Sequence, residues 1–285
     1  MQLTERVAVV TGSSRGIGKG VALALGATGA TVYVTGRTTR AGQAARPGTI
    51  HETAAAVTAA GGRGIAVHCD HARDDEVKAL FDQVRSESGR LDILVNNVAA
   101  VHPDLVAPGG FWEKSIRLAD LIDVGLRSQY VASYFAAPMM AAQKSGLIVS
   151  ISFYGALCYF HGPAYGAQKA GIDKMMWDMA VDLKPHGVSA LSLYPGFVTT
   201  EFTEQVLSGK PDMASRAERF ETPRFIGMVI DALYRDPDLL SLSGQTLIAA
   251  ELAQQYGIKD VNGKQPPSYR DTMGSPHQPH PAVFR

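Results

Sequence analysis

Short apolar runs rich in β-branched residues recur along the chain, separated by longer stretches in which apolar positions return every three or four residues. The runs are Val7 to Thr11, Thr31 to Thr35, Gly64 to His68, Ile93 to Asn96, Leu147 to Ile151, Val188 to Leu193 and Gln245 to Ile248. They are nearly continuous rather than alternating, so each reads as a strand covered on both faces. The stretches between them predict helices over about Gly16 to Ala27, Thr49 to Ala60, Asp74 to Ser88, Trp112 to Gln143, Ala164 to Lys184 and Pro223 to Tyr234. Strand and helix in regular succession argue for a parallel sheet with right-handed crossovers and helices on both faces. Gly61-Gly62, Gly89 and Gly187 stop three helices as left-handed C-terminal residues. There is no internal repeat.

Some segments depart from this rhythm. Residues 37–48, with Gly42, Pro47 and Gly48, make a longer loop than a tight connection needs and are expected to lie over a bound cofactor. Residues 200–222 mix charge with Phe202, Met213 and Phe220 and are expected to form a substrate loop or lid. From about Gly263 the prolines at 266, 267, 276, 279 and 281 read as an extended or disordered tail. The expected organisation is a single domain over residues 1–255 followed by an extension over 256–285.

Composition narrows the class. The 285 residues carry 27 basic and 27 acidic side chains, so no global field recruits nucleic acid or an anionic membrane. Cys69 and Cys158 suggest neither a disulfide framework nor a zinc site, which fits a reducing compartment. The first strand starts too soon after Met1 for a secretory leader, and no run of about eighteen apolar residues occurs. A cytoplasmic protein is expected. His68-Cys69-Asp70-His71 looks like a metal cluster, but strand alternation scatters the side chains. His277 and His280 fall in the tail, and no metal is expected.

Candidate chemistry begins at Thr11-Gly12-Ser13-Ser14-Arg15-Gly16-Ile17-Gly18, where a strand ends and a helix opens. That context aims backbone N–H groups and the positive helix end at a dinucleotide pyrophosphate, and glycine permits the close approach. A carboxylate selective for an unphosphorylated ribose would stand at the end of the second strand, which reads Val34-Thr35-Gly36-Arg37-Thr38. With Arg15 in the turn, Arg37 favours NADP(H) over NAD(H), because guanidinium forks match phosphate oxygens. Asp70 is placed to accept from the adenine amino group, with His71 beside it. Tyr165 and Lys169 share a helix face four residues apart. Bringing a phenol from its usual pKa of about 10 towards neutrality requires roughly 4 kcal/mol, part of which an ammonium one turn away can supply.

These residues, in this order, resemble the short-chain dehydrogenase/reductase family over nearly the whole chain. The matching features are Thr11-Gly12-x3-Gly16-x-Gly18, Asn96-Asn97-Val98-Ala99, Ser152, Tyr165-x3-Lys169 and Pro195-Gly196-x-Val198-x-Thr200. Val124-Gly125-Leu126-Arg127, the run from Leu240 to Gly244 and the segment Tyr256 to Gly263 are similar to one group within it, dehydrogenase/reductase SDR family member 1. The resemblance implies a Rossmann-type doubly wound sheet of seven strands. It also implies hydride transfer between the nicotinamide and a carbonyl or secondary alcohol. Tyr165 would act as acid/base, Ser152 would orient the substrate oxygen, and Lys169 would support the tyrosine and the nicotinamide ribose. Asn96, Val98, Pro195, Gly196, Val198 and Thr200 would line the cofactor. Ser150 competes with Ser152, but the thirteen-residue spacing to Tyr165 selects Ser152.

The departures are specific. The usual Asn-Asn-Ala-Gly reads Asn-Asn-Val-Ala. A family asparagine that holds a water relay to the lysine aligns with Gly125, and Ser128 is a speculative substitute. Phe153, Tyr159, Phe160, Phe197 and Phe202 suggest an apolar or aromatic small molecule as substrate. A homodimer or homotetramer is expected by resemblance. Alternatives are a catalytically silent NADPH-binding redox sensor, against which Tyr165 argues, and an enoyl-type reductase, whose tyrosine-to-lysine spacing is longer.

Overall fold

The computed structural model describes residues 6–208 and 217–284. Seven parallel strands form one sheet in the order β3-β2-β1-β4-β5-β6-β7. They are β1 (Val7–Val10), β2 (Thr31–Gly36), β3 (Arg63–His68), β4 (Ile93–Asn96), β5 (Gly146–Ile151), β6 (Val188–Tyr194) and β7 (Thr246–Ile248). The principal helices are α1 (Gly16–Gly26), α2 (Ile50–Ala59), α3 (Asp74–Ser88), α4 (Asp120–Ile122), α5 (Ser128–Gln143) and α6 (Pro163–Leu183). They continue as α7 (Glu201–Leu207), α8 (Pro223–Arg235), α9 (Leu239–Leu242), α10 (Ala249–Gln255) and α11 (Arg270–Met273). The chain winds outward from β1 to β3, then returns to β4, so the strand order reverses between β1 and β4. A crevice opens there at the carboxyl ends of the strands.

Both faces of the sheet are buried, as the continuous apolar strands predict. Leu147, Val149 and Ile151 of β5 pack with Val21, Leu25, Phe225 and Val229 on the α1/α8 side. Ile148 packs with Val84, Ala132, Ile172 and Met176 on the α3/α5/α6 side. Helix starts follow local chemistry. Thr49 and Glu52 form a reciprocal capping box on α2. Asp74, Asp75 and Glu76 complement the positive end of α3, and Gly89 closes it in the left-handed conformation. Gly187 has the same conformation after α6. Gly61 follows the cap Ala60 at φ +108 and closes α2 as expected, with the Gly62 N–H donating to the Val57 carbonyl at 3.2 Å. Gly62 itself is required by crowding, since a Cβ there would lie 2.6 Å from the Ala30 carbonyl oxygen.

The single helix expected from Trp112 to Gln143 is also corrected. Residues 103–119 form short 3-10 turns, and Trp112 is 75% exposed. The Ser115 hydroxyl caps a new turn by accepting from the Arg117 N–H. The chain enters α5 through α4 and a π-helical segment, Asp123–Arg127, that contains Gly125.

The tail expected to be free from Gly263 is bound to the body through its first part. Gln265 Nε2 donates to the Ala250 carbonyl at 3.2 Å, and Arg270 forms a two-pronged pair with Glu251 at 2.8 and 2.6 Å. Tyr269 packs edge-on against Phe197, with ring centres 5.1 Å apart. The lid expected over residues 200–222 falls partly on residues outside those described, Met213 among them. Its described parts are α7 and residues 217–222, where Phe220 stacks on Phe197 at 5.4 Å.

Glu221 ends that loop with 0% exposure, joined to the Pro195-Gly196 turn by backbone hydrogen bonds. Neither carboxyl oxygen completes a hydrogen bond within the described residues, although the nearby Gly196 N–H favours the anion. Burial pushes this carboxyl up to about 8, with the negative Asp260 adding to the shift. A folded-state pKa above the unfolded value of about 4.5 means that the folded protein holds the extra proton. Its contribution to stability is therefore complete below about pH 4.5 and is lost as pH rises towards 8, on the order of a few kcal/mol. Glu221→Gln is expected to remove this dependence, leaving the variant more heat-resistant than the parent at pH 8.5. Equal slopes of melting temperature against pH would refute the assignment.

Candidate active site

The turn after β1 is fastened to the end of β4. The Thr11 hydroxyl donates to the Val95 carbonyl at 3.2 Å and accepts from the N–H groups of Asn97 and Val98 at 2.9 and 3.1 Å. The Asn97 amide nitrogen donates back to the Thr11 and Gly12 carbonyls at 2.9 and 3.0 Å. Little room remains. A Cβ on Gly12 would lie 2.9 Å from Val98 Cα, and one on Gly18 would lie 2.5 Å from Asn97 Nδ2. Gly12 also has φ +64, which favours glycine.

A cleft of about 330 Å³ opens above this turn. It is lined by Gly12, Ser14, Arg15, Gly16, Ile17, Arg37, Thr38, Asp70, His71, Val98 and Thr200, all expected at a cofactor. The Gly16 N–H, at the start of α1, donates to Glu201 Oε2 at 2.9 Å, so this helix end already holds an anion. The 37–48 loop wraps Arg15, whose guanidinium donates to the Pro47 and Gly48 carbonyls and to Thr38 Oγ1 at 3.0, 2.7 and 3.1 Å. Arg37 is mostly exposed, 3.9 Å from Asp70. Arg46 and Glu201 were missed by the sequence reading. The Arg46 guanidinium sits 5.3 Å from the Phe202 ring centre, brought in by a loop without a periodic signal.

Several expected positions are corrected. Asn96 does not face the cleft; its amide is buried and donates to Ser133 Oγ at 3.0 Å, because alternation along β4 presents Asn97 instead. His71 touches the cleft but is chiefly structural, paired through Nε2 with Thr35 Oγ1 at 2.8 Å and lowered by burial to about 4. Gly18 lies beneath the cleft as a packing contact. Phe202 lines the dinucleotide cleft rather than the aromatic cluster. Tyr159 is 84% exposed. Phe153, Phe160 and Phe197 do converge, together with Tyr154, Tyr194, Tyr269 and Tyr165. Pro195, Gly196 and Val198 form the turn beside this cluster and Glu221.

Tyr165 lies in the first turn of α6, where Pro163 fixes the entry. Gly155 makes room for its ring, since a Cβ there would lie 2.5 Å from Tyr165 Cε1. Lys169 is buried one turn later. Its Nζ donates to the Ile151 carbonyl at 3.1 Å and lies 5.5 Å from the Tyr165 ring centre. The lowering of the phenol expected from this lysine does not prevail: burial pushes Tyr165 above its ordinary range. Burial brings Lys169 down to about 8, opposed by the charge of Asp173.

Ser152 is buried just after β5, and its hydroxyl donates to the Lys169 carbonyl at 3.3 Å, on the helix that carries Tyr165. Asp173, one turn beyond Lys169, accepts from the Tyr194 hydroxyl, a pair missed because Tyr194 is remote in sequence.

The space at Gly125 is filled from α6. Gln168 is 1% exposed, and its Nε2 lies 2.1 Å from where a Gly125 Cβ would be. Neither polar atom of that amide has a partner within the described residues. Ser128 is no substitute for the missing asparagine, because its hydroxyl donates to the Val124 carbonyl of its own helix.

The model of the family described as short chain dehydrogenase matches residues 6–211. The chain is 40% identical over 280 residues to Dehydrogenase/reductase SDR family member 1 of Mus musculus, covering 93% of this chain and 86% of that protein. It is 33% identical over 250 residues to 3-oxoacyl-[acyl-carrier-protein] reductase of Synechocystis, covering 86% and 95%. A solved metagenomic short-chain oxidoreductase in complex with NADP superposes with TM-score 0.69 at 30% identity, covering 87% of this chain and 98% of that one.

The Gly125–Gln168 contact gives a direct test of packing. Gly125→Ala is expected to destabilise the protein by about 1–3 kcal/mol, because the new methyl meets the amide. In combination with Gln168→Ala most of that loss should vanish, a coupling read from urea unfolding of the double-mutant cycle. Additive losses would show that the two residues do not compete for one space.

Proposed function

The chain belongs to the short-chain dehydrogenase family of oxidoreductases, and from that premise we propose that it is an NADP(H)-dependent carbonyl reductase or alcohol dehydrogenase acting on apolar or aromatic small molecules. The observation that carries this reading is Tyr165 seated beside Lys169 within an aromatic cluster, in a chain whose turn after β1 has glycines that admit no side chain. The cleft fits the cofactor. The Gly16 N–H takes an anion, and Gly12 leaves the backbone bare. Arg15, Arg37, Thr38 and Arg46 gather where a ribose phosphate would be recognised. The NADP bound to the metagenomic relative supports the same choice.

When bound, a reduced nicotinamide supplies hydride to a carbonyl carbon. Tyr165 gives its phenolic proton to the carbonyl oxygen. Burial keeps it a neutral phenol, the form that donates, and Lys169 keeps positive charge nearby for the phenolate left behind. Asp173 opposes loss of the Lys169 proton, while Ser152 donates to the Lys169 carbonyl. The aromatic walls exclude water and favour an apolar substrate. Reduction of a keto group is also what the name of the Synechocystis relative describes.

A homodimer or homotetramer is proposed through the outer face of α5, where Tyr130 and Tyr134 are exposed. Free Cys69 and Cys158 are compatible with the reducing cytoplasm. Among the described residues no helix is long and apolar enough to cross a membrane.

NADPH oxidation over a panel of aromatic and aliphatic aldehydes and ketones tests the activity. Tyr165→Phe is expected to bind NADPH with a Kd within about threefold of the parent while losing a factor of about 10²–10⁴ in kcat. Near-normal turnover would remove the tyrosine from proton transfer. Arg37→Ala combined with Arg46→Ala is expected to weaken NADPH by about tenfold and NADH hardly at all, since charge-assisted contacts to a phosphate are lost. Equal weakening of both in a fluorescence titration would exclude selection by these arginines.

A further inference from the structure

The aromatic cluster around Tyr165 has a buried floor and an open rim. Phe153, Tyr154 and Tyr194 are buried, whereas Tyr165, Phe160, Phe197, Tyr269 and Met273 are only half-buried. Tyr269 and Met273 come from the C-terminal extension, beyond the residues 6–211 that match the family. A proline-rich segment, whose one helix is the four-residue α11, thus adds side chains to the group that holds the proposed proton donor.

That segment is fastened on both sides of Tyr269. Before it, Gln265 Nε2 donates to the Ala250 carbonyl and the Ser268 hydroxyl donates to Glu251 Oε1 at 2.7 Å. After it, Arg270 grips the same Glu251 with two charge-assisted hydrogen bonds. Ala250 and Glu251 lie in the first turn of α10, directly after β7, so the anchor belongs to the sheet's own edge. The Tyr269 N–H donates to the Tyr154 hydroxyl at 3.3 Å. Its ring stands edge-on to Tyr154 and to Phe197, with centres 6.4 and 5.1 Å apart. Gly196 leaves the ring its seat, since a Cβ there would lie 3.0 Å from Tyr269 Cε2. From Phe197 ring contacts continue to Phe160 at 6.2 Å and from Phe160 to Tyr165 at 5.9 Å. Two rings therefore link Tyr269 to the phenol.

We propose that Tyr269 is a specificity-determining residue: its ring, held by the Glu251 anchor, closes the end of the apolar pocket remote from Tyr165 and sets how long a carbonyl substrate can be. This assignment rests on the carbonyl-reductase reading and deepens it by naming the substrate class, apolar aldehydes or ketones whose chain ends at this ring. The basis is steric. Each substrate methylene given apolar cover tightens binding by roughly fourfold, and one that meets a fixed ring gains nothing and strains the packing.

The test measures kcat and KM of the full chain with NADPH over phenyl alkyl ketones from acetophenone to octanophenone and straight-chain aldehydes from propanal to decanal. For the parent, kcat/KM is expected to rise with chain length and then fall. Tyr269→Ala should move that maximum to longer chains and raise the ratio of kcat/KM between the longest and shortest members by at least about tenfold, chiefly through KM. Tyr269→Leu, which keeps apolar cover should the alanine variant not fold, should move the maximum the same way by less. Tyr269→Phe should keep the parent's maximum, because the ring and not the hydroxyl is the stop, and Arg270→Ala should lengthen the accepted chain by loosening the anchor. A parent profile without a maximum, a maximum unmoved by Tyr269→Ala and Tyr269→Leu, or an equal loss at every length would overturn the assignment. A parent inactive on both series, or full activity of Tyr165→Phe, would instead sink the carbonyl-reductase reading.

Discussion

The hydroxyl of Thr11 and the amide of Asn97 hold the two halves of the sheet together at the place where the chain reverses direction. One oxygen accepts two backbone N–H groups from the end of β4, and one amide donates to two carbonyls at the end of β1. These are buried or half-buried polar groups that would be costly left unpaired, so the strand ends are fixed relative to one another. The cleft, the approach of Gly12 to Val98 and the orientation of the α1 N-terminus follow from that fixation. Function depends on the same lock, because a dinucleotide spanning the crevice needs its phosphate site and its reacting end at a constant separation.

At the reacting end, burial dominates the electrostatics. It raises Tyr165 and lowers Lys169, both shifts favouring the neutral form, and the Asp173 charge restrains the second. The pair of Asp173 and Tyr194 therefore acts on the site through the lysine. Gln168, inserted against Gly125, closes the same region from the side with an amide that has no partner among the described residues. Buried amides of this kind usually hold water. The aromatic cluster stands on the opposite side of Tyr165, with His161 at its edge.

Much of the architecture was legible because each cue had one physical meaning. Continuous apolar runs could only be strands covered on both faces, and the acidic first turn with Gly89 marked α3 to the residue. The long helix misled because Leu118 and Leu121 continue a helical period into a segment that the Ser115 cap divides into short 3-10 turns. Arg46 and Glu201 carry no comparable signal, since loop geometry alone delivers them to the cleft. Gln168, a polar residue at a helix position facing the core, was the one missed residue that periodicity might have marked.

The most direct test is the crystal structure of the protein with NADPH. The account predicts the diphosphate at the Gly16 N–H in place of the Glu201 carboxylate, the ribose phosphate among Arg15, Arg37 and Arg46, and the nicotinamide beside the Tyr165 hydroxyl. A dinucleotide bound elsewhere, or a nicotinamide remote from Tyr165 with the phosphates correctly seated, would contradict it.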